Sequence, residues 1–341
     1  TGGTLTVGAT NFNNVFTNNG TLSISAGALN INGNLNSATG STFSQTGGTI
    51  TVDGNDNNTA GTSVATGTPI VHIQTSTFTM SGGSLIIVDP HVGTAAADDA
   101  FRYTSSSNAS ATTGHTLQIG NGASSQAGGN ATNGFSLHPQ ASTGLLLFGN
   151  ITVDAVSNAG NRFVTTRNTS TAGLTALGAL TITSGEARIL TSTTFTVAGN
   201  VTNNATLTTV GTLALQSITG TSPAASANAQ TISGAGTFQN LTTSPTANFT
   251  NITFNNSNAT GVTFSGSAWN SLASTVSGTL TVTAGRINIG AANTLTLGVS
   301  AASAGTLSWT AGGFTQGTFK RWIGTASITV GTNAGRFPFA G

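Results

Sequence analysis

The sequence predicts an all-β fold, a parallel β-helix (β-solenoid) of short strands with loop excursions. Three observations lead there: apolar residues paired at i and i+2, recurrence of the inward positions every 6–8 residues, and glycine or asparagine at the breaks. Alternation with a period of two is the mark of a strand with one buried face.

The pairs come in chain order as Leu5/Val7, Leu22/Ile24, Leu29/Ile31, Ile50/Val52, Leu180/Ile182, Phe195/Val197, Leu213/Leu215, Leu280/Val282, Ile287/Ile289 and Leu295/Leu297, mostly with Thr or another small or polar residue between. From Leu22 the inward positions step through Leu29, Leu35, Phe43 and Ile50; from Ile182 they step through Ile189, Phe195, Val201, Leu207 and Leu213. Gly27, Asn34, Gly40, Gly199 and Asn204 fall between, and such residues tolerate the left-handed backbone of a sharp corner. Three such sides give a rung of roughly 20 residues that buries its apolar edge only by stacking on the next rung. About fifteen rungs spaced by about 4.8 Å would make a rod of roughly 70 Å. A Greek-key sandwich would space its turns more widely, every 8–12 residues or so.

Residues 1–304 are assigned to the solenoid, with loop excursions at 89–115 and 221–229. The first excursion lacks the pairs and holds Asp89, His91, Asp98, Asp99, Arg102, Tyr103 and His115. Residues 305–341 are set apart as a C-terminal β segment and a candidate start of the next module, because Trp309, Lys320, Arg321 and Trp322 break the neutral style. With Thr1 first and no leader-like stretch behind it, the chain reads as a mature product or an excerpt of a longer polypeptide.

Composition narrows the function. Only 4% of the 341 residues are charged, against about 25% in an ordinary domain, and the net charge is +1. With 37% hydrophobic residues in patterned positions the chain nonetheless folds. No basic cluster exists to neutralise phosphates, which argues against nucleic acid. The longest aliphatic runs, 85–88 and 145–148, are far short of the roughly 20 residues of a membrane helix. There is no cysteine, hence no disulfide and no thiolate site.

The stretches QTISGAGTFQNLTTS, GTLTVTAGRINIGAANTLTLG and GTFKRWIG…GRFPFAG, from Gln230 onward, resemble the repeat regions of very large surface proteins of Bacteroidota. The resemblance covers the C-terminal third closely and the rest in style. It implies export by the type IX secretion system and display as an adhesin or filament, and it carries no catalytic residues.

Site candidates are few. Asp53, Asn55 and Asp56 alternate oxygen ligands in a corner and could hold Ca²⁺, although turn preference alone explains Asp and Asn there. Trp322 with Lys320 and Arg321 forms a candidate binding patch for a sugar or partner, since aromatics and arginine are enriched where binding energy concentrates. The four histidines, His72, His91, His115 and His138, show no zinc-type spacing.

The expected function is therefore a non-enzymatic structural or adhesive protein, extracellular, forming a rod or fibre at the bacterial cell surface. Its partners would be itself, lengthwise or laterally, or a cell-surface or environmental polysaccharide. No catalytic residue, no nucleic acid, no membrane insertion and no cofactor beyond the candidate Ca²⁺ is expected. The alternative is a carbohydrate-binding or polysaccharide-lyase-like solenoid using the 89–115 loop. A third reading is ice binding through outward Thr-x-Thr pairs such as Thr4/Thr6 and Thr279/Thr281, but these fall at irregular distances and not once per rung.

Overall fold

A computed structural model describes residues 2–8, 15–53, 69–88, 99–122, 135–140, 145–154, 163–166, 174–219, 222–240, 247–266, 274–324 and 336–339. Among these every regular element is a strand, and nearly all pairing between strands is parallel. The chain forms two compact units, Thr1–Ala187 and Arg188–Gly341.

In the first unit, seven strands stack in register: Thr4–Val7, Ala28–Asn32, Thr42–Asp53, Thr77–Ile87, His115–Ile119, Asn150–Asp154 and Leu180–Ser184. Leu5, Leu29, Ile50, Leu85, Leu117, Ile151 and Leu180 form one inward column. Val7, Ile31, Val52, Ile87, Ile119, Val153 and Ile182 form a second beside it. The i, i+2 pairs of the sequence are the cross-sections of these columns. Beyond the first rung their members are buried, so each rung removes two aliphatic side chains from water, about 1.5–3 kcal/mol apiece. A second sheet runs through Val15–Asn18, Asn34–Ser37, Val71–Ile73, Asp99–Tyr103, Phe135–Pro139 and Phe163–Thr166. Between the sheets lies an aromatic interior, with ring centroids of Phe43 and Phe78 5.1 Å apart and those of Phe101 and Phe148 also 5.1 Å apart.

The second unit repeats the plan. Phe195, Leu213, Ile252, Leu280 and Leu307 form one inward column, flanked by Val197, Leu215, Phe254, Val282 and Trp309. A further sheet stacks Ser274–Val276, Thr294–Leu297 and Thr318–Arg321.

Three expectations change. Successive column members are Leu29, Ile50, Leu85, Leu117, Ile151 and Leu180, offsets of 21, 35, 32, 34 and 29 residues, so the coil is usually nearer 30 residues than 20. The number of residues between successive column strands varies while the strands themselves keep their register, since connection length is weakly constrained. The loop expected over 89–115 is corrected from Asp99 onward, because Asp99–Tyr103 is a strand paired on both sides. Phe101 and Tyr103 are an inward pair whose spacer is Arg102 instead of Thr or Ser, which hid it. The segment from Gly305 is not a separate module as far as Arg321: Thr306–Trp309, Gly313–Gln316 and Thr318–Arg321 each add a parallel strand to the coil before. Leu307, Phe314 and Phe319 continue the inward pattern, and Lys320 faces outward. Within 221–229, Ser222–Ala224 is a strand paired antiparallel with Ser217–Thr219, and Ser226 is buried and bridges in parallel to Asn256.

Thr42–Asp53 and Thr77–Ile87 each cover two sides of a coil by bending at a glycine pair, 47–48 and 82–83. Gly48 and Gly83 have φ of 68° and 81°, and a Cβ on Gly83 would sit 2.3 Å from the Gly48 carbonyl oxygen. Gly83→Ala is expected to lower stability by about 2–3 kcal/mol, from the left-handed backbone and overlap with the rung before. Chemical denaturation with an unchanged m-value would confirm it; a loss under 0.5 kcal/mol or so would show that the corner relaxes.

Candidate binding depression and a buried charge cluster

Strands Thr294–Leu297 and Thr318–Arg321 pair so that Thr296 lies opposite Lys320 and Leu297 opposite Arg321. The alternation turns Phe319 inward and Lys320 outward. Past the strand end the Trp322 amide donates to the Leu297 carbonyl at 2.9 Å, which fixes the backbone, and the residue is 45% exposed. Residues 336–339 return across this end. The Phe314 amide donates to the Pro338 carbonyl at 2.7 Å, and Arg321 Nη1 donates to the Arg336 carbonyl at 3.0 Å. Phe337 then packs edge-on to Phe319, centroids 6.0 Å apart, with 42% of its surface exposed. Thr296, Phe319, Lys320, Arg321, Trp322 and Phe337 line an open depression of about 570 Å³. Trp322, Lys320 and Arg321 all line this depression, together with Phe337 from the returning segment.

Charge is segregated between the units. All seven acidic residues lie in Thr1–Ala187 with Arg102, Arg162 and Arg167, a net charge of 3 − 7 = −4. Arg188–Gly341 holds Arg188, Arg286, Lys320, Arg321 and Arg336 and no acid, a net charge of +5. Partial burial pulls the Arg321 guanidinium below its ordinary value. Arg336 sits 5.9 Å over the Trp309 ring, a cation–π contact.

The calcium candidate is only partly in view. Asp53 ends the strand Thr42–Asp53, and its carbonyl accepts from the Gly33 amide at 2.7 Å. Asn55 and Asp56 lie outside the described residues. Among the described residues no group of three or more His, Cys, Asp or Glu side chains is placed to hold a metal.

The first unit contains a cluster that spacing could not reveal. Register aligns His72, Arg102 and His138 on neighbouring strands of its second sheet. Asp99, buried beside them, accepts from Arg102 Nε at 2.5 Å, from His138 Nδ1 at 3.0 Å and from the Ser136 hydroxyl. Burial pushes the Asp99 carboxyl up, but the bonds from His138 and Ser136 and the Arg102 charge outweigh it and hold it below its ordinary value. The Ser136 proton goes to the carboxylate, so this is an ion cluster bridging strands and not a nucleophile relay. Burial and the Arg102 charge lower His72 to about 4. His115 is also lowered to about 4, by burial alone. Its Nε2–H faces Gln45 Oε1 at 3.1 Å, because the Gln45 amide nitrogen is committed to the Ser84 carbonyl, and its Nδ1 meets no hydrogen-bonding partner.

The fold defines the class: a parallel β-solenoid. No protein-family model, curated protein or solved structure matches the chain.

Proposed function

We propose that the chain is a non-enzymatic structural and adhesive solenoid, a length of rod or fibre displayed outside a bacterial cell. The observation that carries this reading is the neutrality of one outer face, that of the seven strands stacked in the first unit. Between the two inward columns of the first unit, the outward residues run Thr6, Asn30, Thr51, Ile86, Gln118, Thr152 and Thr181, without a charge across seven rungs. Such a face offers hydroxyl and amide groups in a regular array, and many weak contacts sum through multivalency. It also lacks the repulsion that keeps ordinary surfaces apart. The resemblance of the C-terminal third to exported surface repeats of Bacteroidota supports the location and the type IX route.

Self-association is the test. Sedimentation at increasing concentration is expected to show assemblies larger than the monomer, and electron microscopy to show them as fibres. Assembly through neutral faces persists in 1 M or similar salt, where the Debye length is only about 3 Å. A monomer at every concentration would remove the fibre from the reading; assemblies that dissolve in salt would assign the contact to the oppositely charged units.

A further inference from the structure

We propose that the depression around Trp322 and Lys320 binds an acidic polysaccharide, a chain of carboxylate-bearing sugars. This rests on the adhesive reading and names what such an adhesin would hold.

The aromatic surface comes first. Trp322 and Phe337 are 45% and 42% exposed, whereas most large apolar side chains among the described residues are buried; Ile323 and Phe339 beside them are exposed as well, and Trp322 and Phe337 line one depression. Its volume of about 570 Å³ falls within the roughly 300–1,000 Å³ of small-molecule sites. The C–H face of a pyranose ring is apolar and flat enough to lie on an indole, while its rim carries hydroxyls.

The polar groups decide which sugar. Neutral sugars present hydroxyl donors that need acceptors, and carboxylates are the strong ones. This depression offers Lys320 and Arg321, which only donate, and the Thr296 hydroxyl. No acidic residue exists anywhere in Arg188–Gly341. A uronate brings the carboxylate acceptor that these donor-only side chains match, and makes charge-assisted bonds with the cations. Nucleic acid fits less well. Its binders neutralise a run of closely spaced phosphates, about 6–10 of them. Here two cations border one aromatic platform, which matches the sparser charge of a uronic acid chain.

The experiment is calorimetric titration of the full chain with tetragalacturonate, maltotetraose and a short DNA duplex. Variants are Lys320→Gln, Trp322→Ala and Arg286→Gln, the last an exposed cation of the same unit outside the depression. Tetragalacturonate is expected to bind and maltotetraose not to. Lys320→Gln and Trp322→Ala should each weaken binding about tenfold, and Arg286→Gln less than about twofold. Lys320 is exposed, so its variant keeps the test open if the tryptophan variant fails to fold. Four results overturn the proposal: no binding of tetragalacturonate, equal binding of maltotetraose, equal losses in all three variants, or tighter binding of the duplex. Sedimentation without ligand separates the two readings. Assembly without galacturonate binding sinks this proposal alone, and galacturonate binding by a permanent monomer sinks only the fibre.

Discussion

Replacing Asp99 with alanine is expected to destabilise the first unit by about 3–5 kcal/mol, the range for breaking a buried ion pair by removing one partner. Asp99 is 1% exposed and collects protons from Arg102, His138 and Ser136. Alanine leaves His138 and Ser136 buried without that acceptor and removes the counter-charge of Arg102. Asparagine keeps the volume and one acceptor oxygen but not the charge, so Asp99→Asn should fall between wild type and alanine. Urea denaturation followed by circular dichroism measures both. A loss below 1 kcal/mol or so for the alanine variant would mean that the cluster does not bind the strands together.

Acid should act on the same unit through a separate group. His115 is fully buried and its pKa is lowered to about 4, whereas in the unfolded chain it sits near 6.5. Between those values the unfolded chain takes up the proton and the folded chain does not, so stability falls as pH drops from about 6.5 towards 4. Roughly two and a half pH units at about 1.4 kcal/mol each gives a loss on the order of 3 kcal/mol from His115. His72, also lowered to about 4 but only half-buried, adds less because solvent screens it. Asp99, lowered and not raised, loses its contribution only below the ordinary carboxylate range. Unfolding free energies at pH 7, 6, 5 and 4.5 trace the curve. His115→Gln cannot titrate and should flatten it; a wild-type curve already flat over this range would show that His115 is not held neutral.

The column-forming residues were legible because alternation is local. Leu29/Ile31, Ile50/Val52, Leu180/Ile182, Leu213/Leu215 and Leu280/Val282 each lie within one short strand, and each is buried in the structure. The coil length was not legible, since residues between strands follow no period and the stacking alone shows which pair meets which. Phe101/Tyr103 escaped notice because a charged spacer, Arg102, resembles a loop on composition. The Asp99 cluster had no signal at all: Asp99 and His138 are separated by 39 residues and meet only through register. Lys320, Arg321 and Trp322 were readable as a group because they are contiguous, and Phe337 was not, because it arrives with the returning segment.

The matched columns have an evolutionary consequence. Leu117 and Ile119 meet Ile151 and Val153, which in turn meet Leu180 and Ile182. One coil presents to its successor nearly the same aliphatic pair that it receives from its predecessor. Whole coils are therefore interchangeable parts, and unequal recombination at their corners can add or remove one while the core keeps its chemistry. Length becomes a nearly neutral character, open to drift and to selection for reach, whereas a one-residue loss inside a column-forming strand would turn its inward pair to the outer face.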